Sequence, residues 1–179
     1  MKSNSLLTKA APSFDEPVEM LKACHERIAA QCATLGKLAA YLPSHGADTQ
    51  AQQAARTIMR YFDIAGPHHH ADEEQDLFPV LIEASERLHS PVGERIASLL
   101  DEHRNLEASW AQLRTVLADI AEGRTRLLEP VLASDFVDAY RSHIALEERE
   151  IFPFAQACLD RQQLARLSAN MVSRRTITP

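Results

Sequence analysis

One motif occurs twice in this chain, and it constrains the fold more than any other feature of the sequence. The motif is H-x3-E-x3-[LI]-F-P, and its two copies begin at His69 and at His143. In each copy the His and the Glu are four residues apart, so in a helix they lie on one face. Two such helices facing each other would direct two imidazoles and two carboxylates to one point. The duplication therefore predicts a helical protein with a metal site, and it indicates a dinuclear one.

The composition sets the class of protein. A chain of 179 residues, of which 45% are hydrophobic, is long enough for one domain with a core. Strand-like alternation is absent and there are only five glycines, so the sequence predicts an all-α fold. The net charge of −6 argues against a nucleic-acid surface. Since no apolar run approaches the roughly 20 residues of a membrane span and no export signal is found, we expect a cytoplasmic protein with no membrane partner.

Four amphipathic segments carry the apolar residues at helical spacing. Two long stripes, at about residues 17–42 and 91–120, contain His25 and His103, and the two motif copies lie in the segments that follow them. Gly66-Pro67 precedes His69 by one turn and predicts a kink or a break in the second segment. Pro79 and Pro153 should bend or loosen the last turns of their helices. The segments pair as two αα-hairpins, 17–88 and 91–158, related by a pseudo-twofold axis.

The regions outside the hairpins contain no chemical motif. Residues 1–16 are expected to form a flexible N-terminal tail, and residues 17–158 a single helical domain. Residues 159–179 are expected to form a short fifth helix and a tail.

The candidate metal ligands share one property, which is that each stands on an apolar stripe. Counted from the connecting loops, the histidines of both hairpins fall in one layer, because a helix rises about 1.5 Å per residue. Glu73 and Glu147 lie on the same stripes, with no Lys or Arg at that level to neutralise them. A divalent metal would do so, and imidazole with carboxylate suits iron, manganese or zinc. The alternative is a structural bundle with two protonated or solvated core glutamates. The histidines concerned are His25, His69, His103 and His143.

The order of these residues resembles the hemerythrin-like (HHE cation-binding) family over about residues 17–158. The resemblance is carried by His25, the segment HHHADEEQDLFP, His103 and the segment HIALEEREIFP. It implies an up-down-up-down four-helix bundle that holds two iron ions joined by an oxo or hydroxo bridge, with open positions for a small ligand. It implies roles in O2 binding, in iron or oxygen sensing, or in the response to nitrosative damage. The ligands it implies are His25, His69, Glu73, His103, His143 and Glu147, with the two glutamates as bridges.

Two further residues are less certain ligands. Oxygen-carrying members of the family have a second histidine one turn after the first on the third helix, where this sequence has Glu107. Glu107 could bind metal, hydrogen-bond a bound water, or be a solvated residue, and its presence disfavours reversible O2 carriage. His70 flanks the motif histidine and could act as a ligand together with Glu74, especially if the helix breaks at Gly66-Pro67. The neighbouring acidic residues Asp72, Glu74, Asp76, Glu148 and Glu150 are expected to form solvated faces.

These features predict a non-haem di-iron protein that binds or senses a small ligand, namely O2, NO or iron. The alternative is a di-iron redox enzyme that reduces O2 or peroxide, or repairs iron centres. An enzyme acting on an organic substrate needs a pocket beside the metals, and the stripes show no run of small residues that would open a cleft. Because no output domain is evident, a sensor would act through an unidentified protein partner. Recombinant protein is expected to hold zinc or manganese as well as iron.

Overall fold

The computed structural model describes residues 15–125 and 127–176, which are almost entirely helical and contain no strand. The predicted all-α class is therefore confirmed for this part of the chain. Two turns, π1 (Glu73–Leu77) and π2 (Glu147–Ile151), are π-helical. The α-helices are α1 (Pro17–His45), α2 (Thr49–Phe62), α3 (Ala65–Asp72), α4 (Phe78–Leu88), α5 (Val92–Ala121), α6 (Pro130–Leu146), α7 (Phe152–Cys158) and α8 (Arg161–Thr176).

The predicted break before His69 is confirmed. α2 ends at Phe62 and α3 begins at Ala65, so the second segment is interrupted at residues 63–64, just before Gly66-Pro67. Gly66 and Pro67 lie in the first turn of α3, where a missing backbone N–H removes no helical hydrogen bond. The break leaves α3 as a separate helix of eight residues that carries His69 in its second half.

The π-helical turns are a feature that the sequence analysis missed. In each, the N–H of the residue before the proline donates to a carbonyl five residues back, from Phe78 to Glu73 and from Phe152 to Glu147. Pro79 has no N–H for the carbonyl four residues back, and in a regular α-helix its ring would crowd that carbonyl. A wider turn relieves the clash. The prolines therefore distort the turn before them rather than the last turns of their helices.

The four long segments pack in a closed ring. α1 contacts α2 and α6, and α5 contacts the same two helices. The apolar side chains form two clusters at different heights, one around Ile28, Phe62 and Phe136 and one around Leu21 and Phe152. Because His25 lies between Leu21 and Ile28 along α1, the polar residues of the site form a layer between two dry regions.

The fifth helix, α8, covers one side of this ring. It runs for 16 residues, longer than the short helix expected, and packs against α1, α3 and π1. Leu167 and Met171 join the second apolar cluster. Most of the expected N-terminal tail lies outside the described residues. In the parts of the chain that the structure covers, no helix is long and apolar enough to cross a membrane.

Candidate metal centre

Six buried polar side chains meet in the layer between the two apolar clusters. Each is at most 2% exposed, although all six are polar or ionisable. α1 and α5 supply the lone histidines, and the ends of α3 and α6 supply the motif histidines. Each motif glutamate is the first residue of a π-helical turn. The structure thus brings together His25, His69, Glu73, His103, His143 and Glu147, the residues that the sequence analysis selected.

The six side chains form two groups that share both carboxylates. The first group is His25, His69, Glu73 and Glu147, and the second is His103, His143 and the same two glutamates; within each, the candidate ligand atoms lie within 4.8 Å of one another. In the first group, Glu73 Oε1 is 3.4 Å from His69 Nε2 and Glu147 Oε2 is 3.0 Å from His25 Nε2.

The other oxygen of each carboxylate reaches the second group. Glu73 Oε2 is 3.6 Å from His103 Nε2, and Glu147 Oε1 is 3.3 Å from His143 Nε2. Each carboxylate therefore offers one oxygen to either group, as a carboxylate that bridges two metal ions does.

Three histidines are oriented by carboxylates that accept hydrogen bonds from Nδ1–H. The hydrogen bonds run from His25 to Glu148 at 3.0 Å, from His103 to Glu74 at 2.6 Å, and from His143 to Glu102 at 3.0 Å. Since these protons occupy Nδ1, the Nε2 lone pairs are left to face the site. Glu74 and Glu148 each follow a motif glutamate directly, and both were expected on solvated faces. They lie at the rim, half exposed to solvent, with one oxygen turned inward.

The fourth histidine of the set breaks the pseudo-symmetry. His69 Nδ1 is buried and has no hydrogen-bond partner. In the second hairpin, Glu102 directly precedes His103 and accepts the hydrogen bond from His143. The corresponding residue in the first hairpin, directly before His25, is Cys24, which supplies no carboxylate. The first group therefore lacks one of the outer carboxylates that the second group has.

Most of the nitrogen and oxygen atoms at the centre of the cluster are arranged to bind a cation and not to hydrogen-bond with one another. His103 and His143 both use Nδ1–H for carboxylates, so their Nε2 atoms present lone pairs to each other at 3.1 Å. Two nitrogens bound at right angles to one ion, with bonds of about 2.0–2.1 Å, would lie about 3 Å apart. The four oxygens of Glu73 and Glu147 are buried without hydrogen bonds. A divalent ion in each group would satisfy both the lone pairs and the carboxylate charge.

Burial keeps imidazoles at the site neutral, which metal binding requires. It also favours the protonated form of Glu73, which metal binding would have to change. Desolvation lowers the pKa of His69 well below its ordinary value, that of His70 to about 3 and that of His103 to about 2. These imidazoles are therefore neutral at physiological pH. Desolvation, reinforced by the charge of Glu147, raises the pKa of Glu73 well above its ordinary value. A metal ion would reverse this by stabilising the ionised carboxylate.

His70 is buried beside the second group. Its ligand atom lies within 4.8 Å of those of His103 and His143. However, its ring stacks on that of His103, with centroids 3.9 Å apart and an interplanar angle of 8°. An imidazole binds metal through a lone pair in the ring plane, and two parallel stacked planes cannot both contain one ion. His70, which the sequence analysis kept as a less certain ligand, is therefore buried against the second group, with its ring packed on that of His103.

The structure leaves the other candidates outside the cluster. Glu107 is exposed and does not join any group of possible ligands found among the described residues. His45 and His89 are exposed at the ends of α1 and α4 and lie outside the cluster.

Asp72 contradicts the expectation of a solvated acidic face. It is fully buried and forms ion pairs with Arg174 and Arg175 of α8, the Arg175 Nη2 to Asp72 Oδ2 distance being 2.6 Å. Arg174 also pairs with Asp76 at 2.7 Å. The repeat held a signal for this burial, since Asp72 aligns with the apolar Leu146 in the other copy.

Comparison with known proteins gives two matches. The model of a family described as the hemerythrin HHE cation binding domain matches residues 16–155, which include all six clustered residues. The chain is also similar to an uncharacterized protein of Haemophilus influenzae, with 32% identity over 165 residues. The alignment covers 92% of this chain and 93% of that protein.

Proposed function

The chain belongs to the hemerythrin HHE cation-binding family, and on that basis we propose that it is a non-haem di-iron protein that binds or senses a small ligand, namely O2, NO or iron. One observation carries the proposal: Glu73 and Glu147 are shared between two groups that each contain two histidines. Bound there, iron would supply a change of oxidation state and open positions for the ligand.

Different residues of the chain would bind the metal ions, orient the histidines and exclude water. The six clustered side chains would hold the two ions, with Glu73 and Glu147 as the bridges. Glu148, Glu74 and Glu102 fix the orientation and tautomer of three of the histidines. The apolar clusters above and below keep bulk water out of the layer. Imidazole and carboxylate donors without a thiolate favour iron, with zinc and manganese as substitutes in recombinant protein.

The same proposal includes the up-down-up-down arrangement of a four-helix bundle. Contacts between α2 and α5 support it. Arg56, in the middle of α2, donates to the carbonyl of Ala121 at the end of α5, whereas Asp63, just after α2, accepts from Trp110 at 3.2 Å. The two helices therefore run in opposite directions. In this arrangement Glu107 replaces the second histidine of the oxygen carriers, which favours a reactive or regulatory centre over a durable O2 carrier.

The second candidate is a di-iron redox enzyme that reduces O2 or peroxide or repairs iron centres. A groove of about 390 Å³ between α1 and α6 favours it. Ala29, Ala33 and Ala145 keep this groove open, although the sequence analysis expected no cleft. Glu148, which accepts a hydrogen bond from His25, lines one end of the groove. A substrate bound there would be one hydrogen bond away from the first group.

Metal analysis of protein purified from iron-supplied cells tests the proposal. We expect about two iron ions per chain, since each group offers two imidazoles and two carboxylate oxygens. A content near zero, with zinc and manganese also absent, would contradict it. Catalytic consumption of peroxide by the iron-loaded protein would favour the enzyme, whereas stoichiometric binding of NO or O2 without turnover would favour the binding protein.

A further inference from the structure

The two halves of the candidate centre differ in how their histidines face each other. In the first group, Nε2 of His25 lies 3.1 Å from Nε2 of His69. In the second group, Nε2 of His103 lies 3.1 Å from Nε2 of His143. A neutral imidazole carries one N–H and one lone pair, so the position of each proton decides whether such a pair attracts or repels. The carboxylates around the site determine that position.

In the second group the two rings cannot hydrogen-bond to each other. His103 donates its Nδ1–H to Glu74 at 2.6 Å. His143 donates its Nδ1–H to Glu102 at 3.0 Å. Both Nε2 atoms therefore carry lone pairs, and these lone pairs face each other in a buried space. An ion bound by both atoms would relieve the repulsion without moving any proton, so the second group is preorganised for metal.

In the first group the two rings form a hydrogen bond without metal. His25 donates its Nδ1–H to Glu148, so its Nε2 is an acceptor. His69 Nδ1 is buried and has no hydrogen-bond partner, so no acceptor holds the proton there. The proton of His69 can occupy Nε2 instead, where it is donated to His25. This pair of histidines is therefore satisfied in the metal-free protein.

Metal binding at the first group requires a change of tautomer. The proton on His69 Nε2 must move to Nδ1 before the Nε2 lone pair can bind an ion, and the hydrogen bond to His25 is then lost. The side chain of His69 is only 1% exposed, so the new Nδ1–H would be buried without an acceptor. Leaving a buried donor unsatisfied costs free energy. The ion at the first group must offset both losses.

We propose that the two metal positions differ in affinity: the second group takes up the first ion, and the first group holds the other ion more weakly and exchanges it. Position 24 sets the difference, because Cys24 stands where the second hairpin has Glu102. The proposal rests on the proposed function, since it takes the centre to hold two ions. Loss of one outer hydrogen-bond partner lowers metal affinity roughly 10–100-fold, so the two affinities should differ at least about tenfold.

Nitrogen-15 NMR of the chelated full-length protein measures the tautomers directly. We expect Nε2–H for His69 and Nδ1–H for His25, His103 and His143. Zinc is the metal probe, because it has no redox chemistry. One equivalent should shift the signals of the second group, and a second equivalent should convert His69 to the Nδ1–H form. An Nδ1–H tautomer of His69 in the metal-free protein, or zinc entering the first group first, would overturn the proposal.

A reciprocal pair of substitutions tests position 24, with zinc affinities measured by calorimetry. Cys24→Glu supplies the missing acceptor and should strengthen the weaker binding step at least tenfold. Glu102→Cys removes the acceptor of His143 and should weaken the tighter step by a similar factor. Cys24→Ala is the matched control and should leave both steps unchanged, because the thiol is not used. Unchanged affinities in Glu102→Cys, whatever the result for Cys24→Glu, would contradict the proposal.

The outcomes separate this inference from the proposed function. Metal-free protein from iron-supplied cells, together with chelated protein that binds no zinc, would overturn both. Two ions bound per chain with equal affinity, and with no response to the substitutions at positions 24 and 102, would overturn the inference alone.

Discussion

At the scale of single residues, the centre depends most on Glu73 and Glu147, because each touches histidines of both groups. Their four oxygens are buried and make no hydrogen bonds. A buried carboxylate in that state is costly unless a cation accompanies it. Loss of either one would remove an oxygen from both groups at once, whereas loss of one histidine affects a single group.

Replacing a bridge should therefore release metal from both positions. We expect Glu73→Ala or Glu147→Ala to retain well under one metal ion per chain, against about two in the unmodified protein. His45→Ala and His89→Ala serve as controls, since both histidines are exposed and lie outside the cluster. The measurement is metal content after identical purification. Equal retention in all four variants would refute the assignment of the bridges.

The outer carboxylates should tune affinity without abolishing binding. Glu148→Ala removes the acceptor for His25 Nδ1–H, and such a change costs about 10–100-fold in metal affinity. Glu150→Ala is the matched control from the same π-helical turn, because Glu150 pairs with Arg95 and Arg149 instead of a histidine. Competition with a chelator measures both affinities. Equal affinities would mean that the hydrogen bond to His25 is not used.

The metal-free protein should lose stability in acid. His69, His70 and His103 have pKa values depressed by burial, whereas in the unfolded chain they titrate near 6.5. Below pH 6.5 the unfolded state binds these protons and the folded state does not, so stability falls as pH drops from about 6.5 toward 3. The raised pKa of Glu73 has the opposite effect on stability. Above pH 4.5 the folded state keeps this proton while the unfolded state loses it, so stability falls as pH rises. Glu73 is one group, whereas three histidines act in the other direction.

Denaturant unfolding of chelated protein at pH 7.5 and pH 5.5 measures this effect. We expect the lower unfolding free energy at pH 5.5. An unfolding free energy that is equal or higher at pH 5.5 would show that these three histidines are not held neutral by burial.

The sequence revealed the cluster but not its surroundings. The six central residues could be selected because each stands on an apolar stripe, where a polar side chain is conspicuous; their role as ligands stays a prediction. Glu74 and Glu148 could not be selected in this way. Each lies about 100° around the helix from a motif glutamate, on what looks like a solvated face, and its partner histidine belongs to the other hairpin.

At the scale of elements, the π-helical turns and α8 determine how the glutamates are presented. The apolar stripes predicted the long helices within a few residues, because spacing is a local property. The stripes did not predict π1 and π2. One extra residue in a single turn leaves the apolar spacing on either side of it typical of an α-helix. The dipeptide Phe-Pro in both copies was the only local sign of them. The burial of Asp72 escaped notice because it depends on a distant helix.

The ion pairs of Asp72 should be important for stability. Asp72→Ala leaves Arg174 and Arg175 without their buried partner, and breaking such a pair costs about 3–5 kcal/mol. In a chain of this size that corresponds to a fall of roughly 10 °C in melting temperature. Asp101→Ala removes the exposed partner of Arg104 and should change the melting temperature little. Equal shifts in the two variants would show that α8 is not anchored through Asp72.

At the scale of the whole molecule, the layer of buried histidines and glutamates divides the core into two apolar clusters. The ring of helices is therefore joined across its middle by polar residues whose interactions are incomplete without a cation. Without metal, facing lone pairs and unbonded carboxylates would lie at the centre of the structure. The stability of the fold and the occupancy of the site are expected to be linked.

Removing the metal should therefore lower the melting temperature. Ions that bind only the folded state add stability by mass action, and we expect a difference on the order of several kcal/mol between loaded and chelated protein. Thermal unfolding of the two samples, followed by circular dichroism, measures it. Identical melting temperatures would instead favour a structural bundle in which the polar layer needs no ion.

The hydrogen bonds of the lone histidines cross from one hairpin to the other. His25 donates to Glu148 of the second hairpin, and His103 donates to Glu74 of the first. One hairpin alone would hold half of each pair, and two identical copies side by side would complete both. This is the layout expected if an ancestral gene for a self-associating hairpin was duplicated and fused. Cys24 and His70, which align with Glu102 and Ile144 of the other hairpin, are two positions beside the site at which the halves differ.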